Sequence, residues 1–166
     1  MQAAGGNVLD WDGGGPRRNE FRFIDAPTLD PAKKLMAFWD ARPADGIVVG
    51  RDVPSRPLAA LLTNISIWEP REKGEDFFVH LAGSATHIRF GEDITGKMMS
   101  AVFDPSSFDL WRDGFNAVLA RNAPVIADVV YLRGVLKLLH LEAIGLPVLS
   151  ADLSAQWVLL GMFYFR

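Results

Sequence analysis

The sequence predicts an α+β fold in which a five-stranded antiparallel sheet carries helices on one face and is preceded by a flanking helix. Two strand-like runs come before a group of helical segments, and three more strand-like runs follow that group, so the helices are inserted between the second and third strands. Of the 166 residues, 49% are apolar and 22% are charged, which suits one packed core rather than a disordered chain.

The composition excludes several functions. The chain contains no cysteine, so disulfides, thiolate metal sites, cysteine nucleophiles and cysteinyl cofactor adducts are excluded together. A formal net charge of −3 offers no general attraction for nucleic acids or anionic membranes. No stretch has the pattern of a secretory signal or a membrane span. We therefore expect a cytoplasmic protein with neither nucleic acid nor membrane as a partner.

The chain divides into a flexible Gly-rich arm, residues 1–29, and a single domain, residues 30–166. The arm contains Gly13-Gly14-Gly15-Pro16 followed by Arg17-Arg18, a composition that is entropically costly to order. Residues 21–26 alternate imperfectly between apolar and polar, which predicts either a short strand or a packed extended segment.

The domain begins with a helix, because Asp30 is a suitable N-cap and Pro31 suits the first helical position. Leu35, Phe38 and Trp39 follow at helical spacing, and a helix this short cannot cover such side chains by itself. We predict that these three residues dock on the domain, on a second copy of the chain or on a partner.

The remaining elements follow in order along the domain. A short helical piece at 84–90 and a glycine-flanked loop at 91–96 precede the best helix of the chain. That helix starts with Asp104 as cap and Pro105 at its first position, and it ends before Asn122. The five strand-like runs are 64–68, 76–82, 125–133, 135–146 and 156–165.

Four blocks of sequence carry a family resemblance. The first is Gly83-Ser84-Ala85 followed by Phe90-Gly91-Glu92-Asp93-Ile94-Thr95-Gly96. The others are Val53-Pro54-Ser55-Arg56 with Leu61-Leu62-Thr63-Asn64-Ile65, the aromatic pair Phe38-Trp39, and the strand at 140–147. Together they resemble the PAS domain, and in particular the single-domain PAS-like proteins of alphaproteobacteria. The resemblance covers residues 35–165, although Thr63 stands where proline is usual and the first twenty residues match nothing in the family.

The resemblance implies a sensory or protein-interaction module with a small-molecule cavity between the sheet and the helices. It also implies a homodimer formed through the leading helix. Because we expect no output domain on this chain, the signal would pass to a separate signalling protein. The residues that we expect around the ligand are Phe78, His87, Ile88, Phe90, Met98, Phe115, Tyr131 and Glu142.

The cofactor of such a module stays open, and the small molecule is unknown. A flavin–cysteinyl adduct is excluded by the lack of cysteine, whereas non-covalent flavin binding is not. His87 is the one histidine placed to reach the cavity, but haem-binding PAS domains carry the proximal histidine on a longer neighbouring helix, which has none here. We therefore favour a structural or surface role for His87 and expect neither haem nor a metal site.

Glu142 lies in a strand of apolar residues and is expected to face inward, where a carboxylate needs a partner. Two interpretations are open. One is a salt bridge to Arg56, Arg89 or Lys137, and the other is a polar anchor for the ligand.

Three functions follow from these observations, in descending order of support. The first is a ligand-binding sensor, and the second is an interaction adaptor without a ligand. The third, a small-cavity enzyme, would need His87, Asp93 and Glu142 to meet in one polar pocket. No Gly-x-Ser-x-Gly nucleophile motif occurs, so we expect no enzyme and name no catalytic residue.

Overall fold

The computed structural model describes residues 17–166 and confirms the predicted α+β fold. The strands are β1 (Arg17–Ile24), β2 (Ile65–Arg71), β3 (Asp76–Ala82), β4 (Val125–Arg133), β5 (Leu136–Leu149) and β6 (Gln156–Tyr164). The helices are α1 (Asp30–Asp40), α2 (Ser84–Phe90), α3 (Met99–Val102) and α4 (Pro105–Arg121), with 3-10 turns at Arg56–Asn64 and Glu72–Gly74. Within the described part of the chain, no helix is long and apolar enough to cross a membrane.

The sheet has six antiparallel strands in the order β1-β4-β5-β6-β2-β3, and so corrects the predicted number of five. The additional strand is β1, which pairs with the outer edge of β4 from Arg17 opposite Arg133 to Ile24 opposite Ile126. Residues 17–24 therefore belong to the sheet and not to the flexible arm predicted at 1–29. The glycine-rich first part of that arm, residues 1–16, lies outside the described residues.

Only part of β1 faces the core, which explains its imperfect sequence pattern. Phe21 packs edge-on against Trp111, with 5.0 Å between ring centroids. Phe23, two residues further along the same face, remains 62% exposed. An edge strand of this kind is held mainly by its main-chain ladder to β4, which leaves a weak signal in the side-chain sequence.

The sheet is buried on both faces. We call the face under α3 and α4 the α4 face; its buried side chains include Trp68, Phe77, Leu141 and Met162. We call the opposite face, covered by α1 and the turn Arg56–Asn64, the α1 face; its buried side chains include Ile67, Ile144, Leu146 and Leu159. The inserted helices thus share one face, as predicted, and the flanking helix α1 packs on the other.

Helix α4 lies close against the sheet. Its cap is the predicted Asp104, whose Oδ1 accepts a hydrogen bond from the main-chain N–H of Ser107 at 3.1 Å. Phe115 and Val118 face the sheet and are buried. A Cβ on Gly145 of β5 would lie 2.7 Å from Cγ2 of Val118, so the absence of a side chain at Gly145 lets α4 pack at this distance.

The first motif block begins at a second close approach. The N–H of Gly83 donates to the carbonyl of Ile65 at 2.9 Å, which brings the end of β3 against the preceding 3-10 turn. A Cβ on Gly83 would collide with the main-chain carbonyls of Leu62 and Thr63. Glycine is therefore required here by the space available.

The N-terminus of α1 is attached to the sheet by Glu142, which is 1% exposed on the α1 face of β5. Its Oε2 accepts hydrogen bonds from the N–H and the hydroxyl of Thr28, both at 2.8 Å, and its Oε1 accepts from the N–H of Leu29 at 2.9 Å. The expected salt bridge to Arg56, Arg89 or Lys137 is therefore wrong. A carboxylate at this position satisfies main-chain donors that precede the helix and interacts favourably with the helix dipole.

We predict that Glu142→Ala lowers the free energy of unfolding by about 3 kcal/mol, because it removes a buried carboxylate that accepts three hydrogen bonds and leaves a cavity in its place. Urea denaturation followed by circular dichroism measures this loss. Glu92→Ala is the matched control, since Glu92 is exposed and makes only a surface ion pair with Lys97; its effect should stay within about 0.5 kcal/mol. Equal stability of the two variants would contradict the structural role of Glu142.

Candidate functional site

The centre of the space between α4 and the sheet is filled by the protein's own aromatic rings. Trp68 stacks on Phe103 at 6.0 Å between centroids, and Phe103 stacks on Trp111 at 4.7 Å. Phe115 packs edge-on against both Trp68 and Phe77, at 5.3 and 5.1 Å. These contacts fill the region where the resemblance placed a cavity.

A small apolar cavity remains beside this aromatic cluster. It lies between β1, α4 and the middle strands, with Gly114 and Gly145 among its lining residues, and has a volume of about 30 Å³. A cavity of that size holds about two water molecules. This cavity cannot enclose a larger ligand.

Polar groups come together where the α4 face reaches the far ends of β4 and β6. Arg89 comes from the last residues of α2, Trp111 from α4, Tyr131 from β4 and Tyr164 from the end of β6; we call these four residues the polar corner. The Nε1–H of Trp111 donates to the Tyr131 hydroxyl at 2.9 Å. The guanidinium carbon of Arg89 lies 5.1 Å from the centroid of the Tyr131 ring, a cation–π distance.

Strand register brings the two tyrosines to this corner. Tyr131 lies opposite Leu139 of β5, and Tyr164 lies opposite Leu141 of the same strand. Since β4 and β6 flank β5 and side chains alternate along each strand, both tyrosines face the α4 side. Arg89 then approaches from the helix inserted above the sheet, with its guanidinium also 4.8 Å from the centroid of the Phe90 ring.

Two polar atoms of the corner are buried without a hydrogen-bond partner among the described residues: the hydroxyl oxygen of Tyr164 and Nε of Arg89. Within residues 17–166, no carboxylate lies within ion-pair distance of Arg89. Buried donors without acceptors are uncommon in folded proteins, and each one calls for an explanation.

Burial raises the pKa of both tyrosines above the ordinary value of 10.0, that of Tyr164 to about 12. The positive charge of Arg89 opposes this effect at both hydroxyls, because it favours the ionised form. At neutral pH both hydroxyls keep their protons and are hydrogen-bond donors.

An open depression of about 390 Å³ adjoins the polar corner, and we call it the corner depression. Its charged lining residues are Arg18, Arg89 and Asp104, and its apolar wall is Leu132, Leu138 and Leu139. The carboxylate of Asp104 is held by the cap of α4, where Oδ1 also accepts from the hydroxyl of Ser106 at 2.6 Å.

The structure brings three of the eight expected ligand residues to the α4 face. Phe115 is buried in the aromatic cluster, Phe90 packs against it, and Tyr131 belongs to the polar corner. Phe78 projects to the opposite face, because its neighbours Phe77 and Val79 are the buried residues of β3. Met98, the residue before α3, is half-buried, whereas the adjacent Met99 is fully buried.

The other three expected residues lie away from the cavity. Ile88 is 85% exposed. His87 lies near the surface, with Nε2 3.1 Å from Oδ1 of Asp93. Glu142 lies on the α1 face, on the other side of the sheet, so it does not meet His87 and Asp93 in a pocket. No three metal-ligating side chains within residues 17–166 form a group that would hold a metal ion.

Sequence reasoning missed three members of the polar corner: Arg89, Trp111 and Tyr164. A signal for Tyr164 was present, because it continues the alternation of Leu160 and Met162 on the α4 face of β6. Arg89 carried no such signal, since a charged residue near the end of a short helix is ordinarily solvated.

A sheet with the strand order β4-β5-β6-β2-β3 carries helices that are inserted between β3 and β4 and packed over one face. This arrangement defines an α+β module with the polar corner between the sheet and the inserted helices. The family model described as "PAS domain" matches residues 28–164. The chain therefore belongs to the PAS domain family, and it is a module of the sensory and signalling type. Strand β1 precedes the matched region. Neither a curated protein nor a solved structure matches the chain.

The chain contains only two tyrosines, and both lie in the polar corner, so their ionisation reports on this site alone. We predict that the folded protein forms less tyrosinate near pH 10 than the denatured chain does, and that Tyr164 ionises at about pH 12. Because the folded pKa is raised, the resulting stabilisation is complete below the unfolded value of 10.0 and is lost as the pH rises towards 12.

Near-ultraviolet absorbance of tyrosinate measures this titration. In denaturant both residues should titrate together near their ordinary pKa, and Tyr164→Phe should remove the step at the highest pH. Ionisation of both tyrosines at pH 10.0 in the folded protein would contradict the burial of the corner.

Proposed function

We propose that the chain is a sensory module that binds a small ligand at the polar corner and relays occupancy through α1 to a second copy or to a separate signalling protein. The observation that carries this proposal is the position of β5. One side of this strand borders the ligand region, and the other side holds α1.

The relay follows from the alternation of side chains along β5. Leu139 lines the corner depression, and Leu141 faces α4. Glu142, the next residue, points to the other face and binds Thr28 and Leu29 at the start of α1. A displacement of β5 by a ligand would therefore move the attachment point of α1. The ligand shifts this equilibrium only by its differential affinity for the two positions.

A second copy or a separate signalling protein would contact α1, and a displacement of α1 would alter that contact. Three residues of α1 were expected to make dimer or partner contacts: Leu35, Phe38 and Trp39. Leu35 is fully buried against the sheet and so is not available for such a contact. Phe38 and Trp39 are half-buried. Phe38 lines an open depression of about 550 Å³ with Arg42 and Pro57, and the guanidinium carbon of Arg42 lies 3.8 Å from the centroid of the Trp39 ring.

The filled centre of the α4 face supports one alternative, an adaptor that binds a protein partner and no small ligand. In that case α1 makes the contact and the polar corner is a structural feature. The two functions differ in whether a small molecule accompanies the protein.

The finer assignments are also our proposals. The four motif blocks favour the single-domain PAS-like proteins of alphaproteobacteria, and the composition favours a cytoplasmic protein. We expect no catalysis, and neither nucleic acid nor membrane as a partner.

Denaturation of the purified chain should release one small organic molecule, which mass spectrometry identifies; haem or flavin would already show in the absorption spectrum. Adding the molecule back to emptied protein should slow hydrogen exchange in α2 and also change it in α1, across the sheet. Release of nothing, with no effect of extracts on α1, supports the adaptor instead.

For the output surface, we predict that the chain forms a dimer in light scattering and that Phe38→Ser weakens it by about tenfold or more, since it removes an apolar contact from α1. Lys33→Ser is the control, because Lys33 is exposed on the same helix. A monomeric wild-type chain would contradict the homodimer. The binding partner of α1 would then be a separate signalling protein.

A further inference from the structure

The polar corner contains more hydrogen-bond donors than acceptors. The oxygen of Tyr131 already accepts from Trp111, so its own O–H proton remains to be donated. The buried hydroxyl of Tyr164 and the buried Nε–H of Arg89 have no partner among the described residues. The guanidinium of Arg89 can donate hydrogen bonds but cannot accept them. Its positive charge lowers the pKa of the Tyr164 hydroxyl, and the neighbouring Tyr131 raises that pKa. An acceptor-only group is the chemical complement of such a cluster.

The charges around the corner point the same way. Arg18 is paired with Glu20 at 3.6 Å and donates to the carbonyl of Gly134 at 2.6 Å. Asp104, the acidic residue lining the corner depression, is held in the cap of α4. Within the described structure, Arg89 and Asp104 are thus the charged side chains of this depression without an ion pair, and they lie farther apart than ion-pair distance. A ligand carboxylate beside the guanidinium would supply the ion pair that Arg89 lacks.

The corner depression adds an apolar requirement. Leu132, Leu138 and Leu139 form its wall beside the guanidinium. Its volume of about 390 Å³ accommodates a molecule of roughly ten non-hydrogen atoms, within the size range of small-ligand sites. A small inorganic anion would leave this wall uncovered.

We propose that the polar corner binds a small amphipathic monocarboxylate. Its carboxylate accepts hydrogen bonds from Arg89, Tyr131 and Tyr164, and its aliphatic or aromatic body lies against the three leucines. The inference rests on the proposed sensory function and names the class of ligand for it.

Isothermal titration with phenylacetate and hexanoate tests this class, with neutral phenylacetamide and inorganic phosphate as comparisons. We expect both carboxylates to bind at least about tenfold more tightly than the amide, since the charge-assisted hydrogen bonds are lost with the charge. Phosphate should bind more weakly than either carboxylate, because it has no apolar body. Bound carboxylate should also raise the pH at which the two tyrosines ionise.

Two variants separate binding from folding. Arg89→Gln should weaken phenylacetate binding by at least about tenfold, whereas Arg121→Gln, an exposed arginine of α4, should leave it unchanged. Tyr164→Phe should weaken binding several-fold without lowering the melting temperature, because the hydroxyl that it removes has no partner in the free protein. A merely structural Tyr164 would leave the affinity unaltered.

Several results would overturn the proposal. These are equal binding of the amide and the acid, phosphate binding as tightly as phenylacetate, unaltered affinity in Arg89→Gln, and no binding of either carboxylate at about 10 mM. Release of a neutral molecule from denatured protein would overturn the carboxylate and leave the sensory function standing. Release of no molecule, together with no carboxylate binding, would overturn both.

Discussion

Strand β5 is buried on both sides, and the rest of the structure depends on how that burial is satisfied. Its alternate residues face α4 on one side and α1 on the other, so both layers pack against the same strand. One of the inward residues is a carboxylate, Glu142, which needs partners in a water-free environment. It finds them in the main-chain N–H groups of Thr28 and Leu29. The hydrogen bonds that the buried carboxylate of Glu142 accepts therefore determine where the flanking helix begins.

Much of the fold could be predicted because its signals are local. The Asp30-Pro31 and Asp104-Pro105 pairs mark the starts of both long helices, and apolar runs bounded by glycine or proline mark the strands. Strand β1 was only one of two alternatives for residues 21–26 and was not counted among the five strands. Its stability comes from main-chain pairing with β4, which is encoded in the partner and not in residues 17–24. The partner of Glu142 was missed for a related reason, since main-chain donors carry no residue-type signal.

The site was predicted less well, and register explains most of the difference. A shift of one residue moves a strand side chain to the other face, and that is the distance between Phe78 and the buried Phe77. The abundance of aromatic residues was a correct sign of the α4 face but an ambiguous sign of a cavity, because the rings fill its centre. What remains for a ligand is defined by unpaired donors such as Tyr164, and pairing is visible only once the chain is folded.

The extra strand β1 has a consequence for how copies of the chain meet. Without it, the nine-residue strand β4 would present a row of unpaired main-chain groups, which is a template for strands of other molecules. β1 occupies that edge, and the segment after it leads directly to Thr28, where Glu142 holds it. The carboxylate that positions α1 therefore also restrains the strand that protects the sheet from edge-to-edge aggregation and strand exchange.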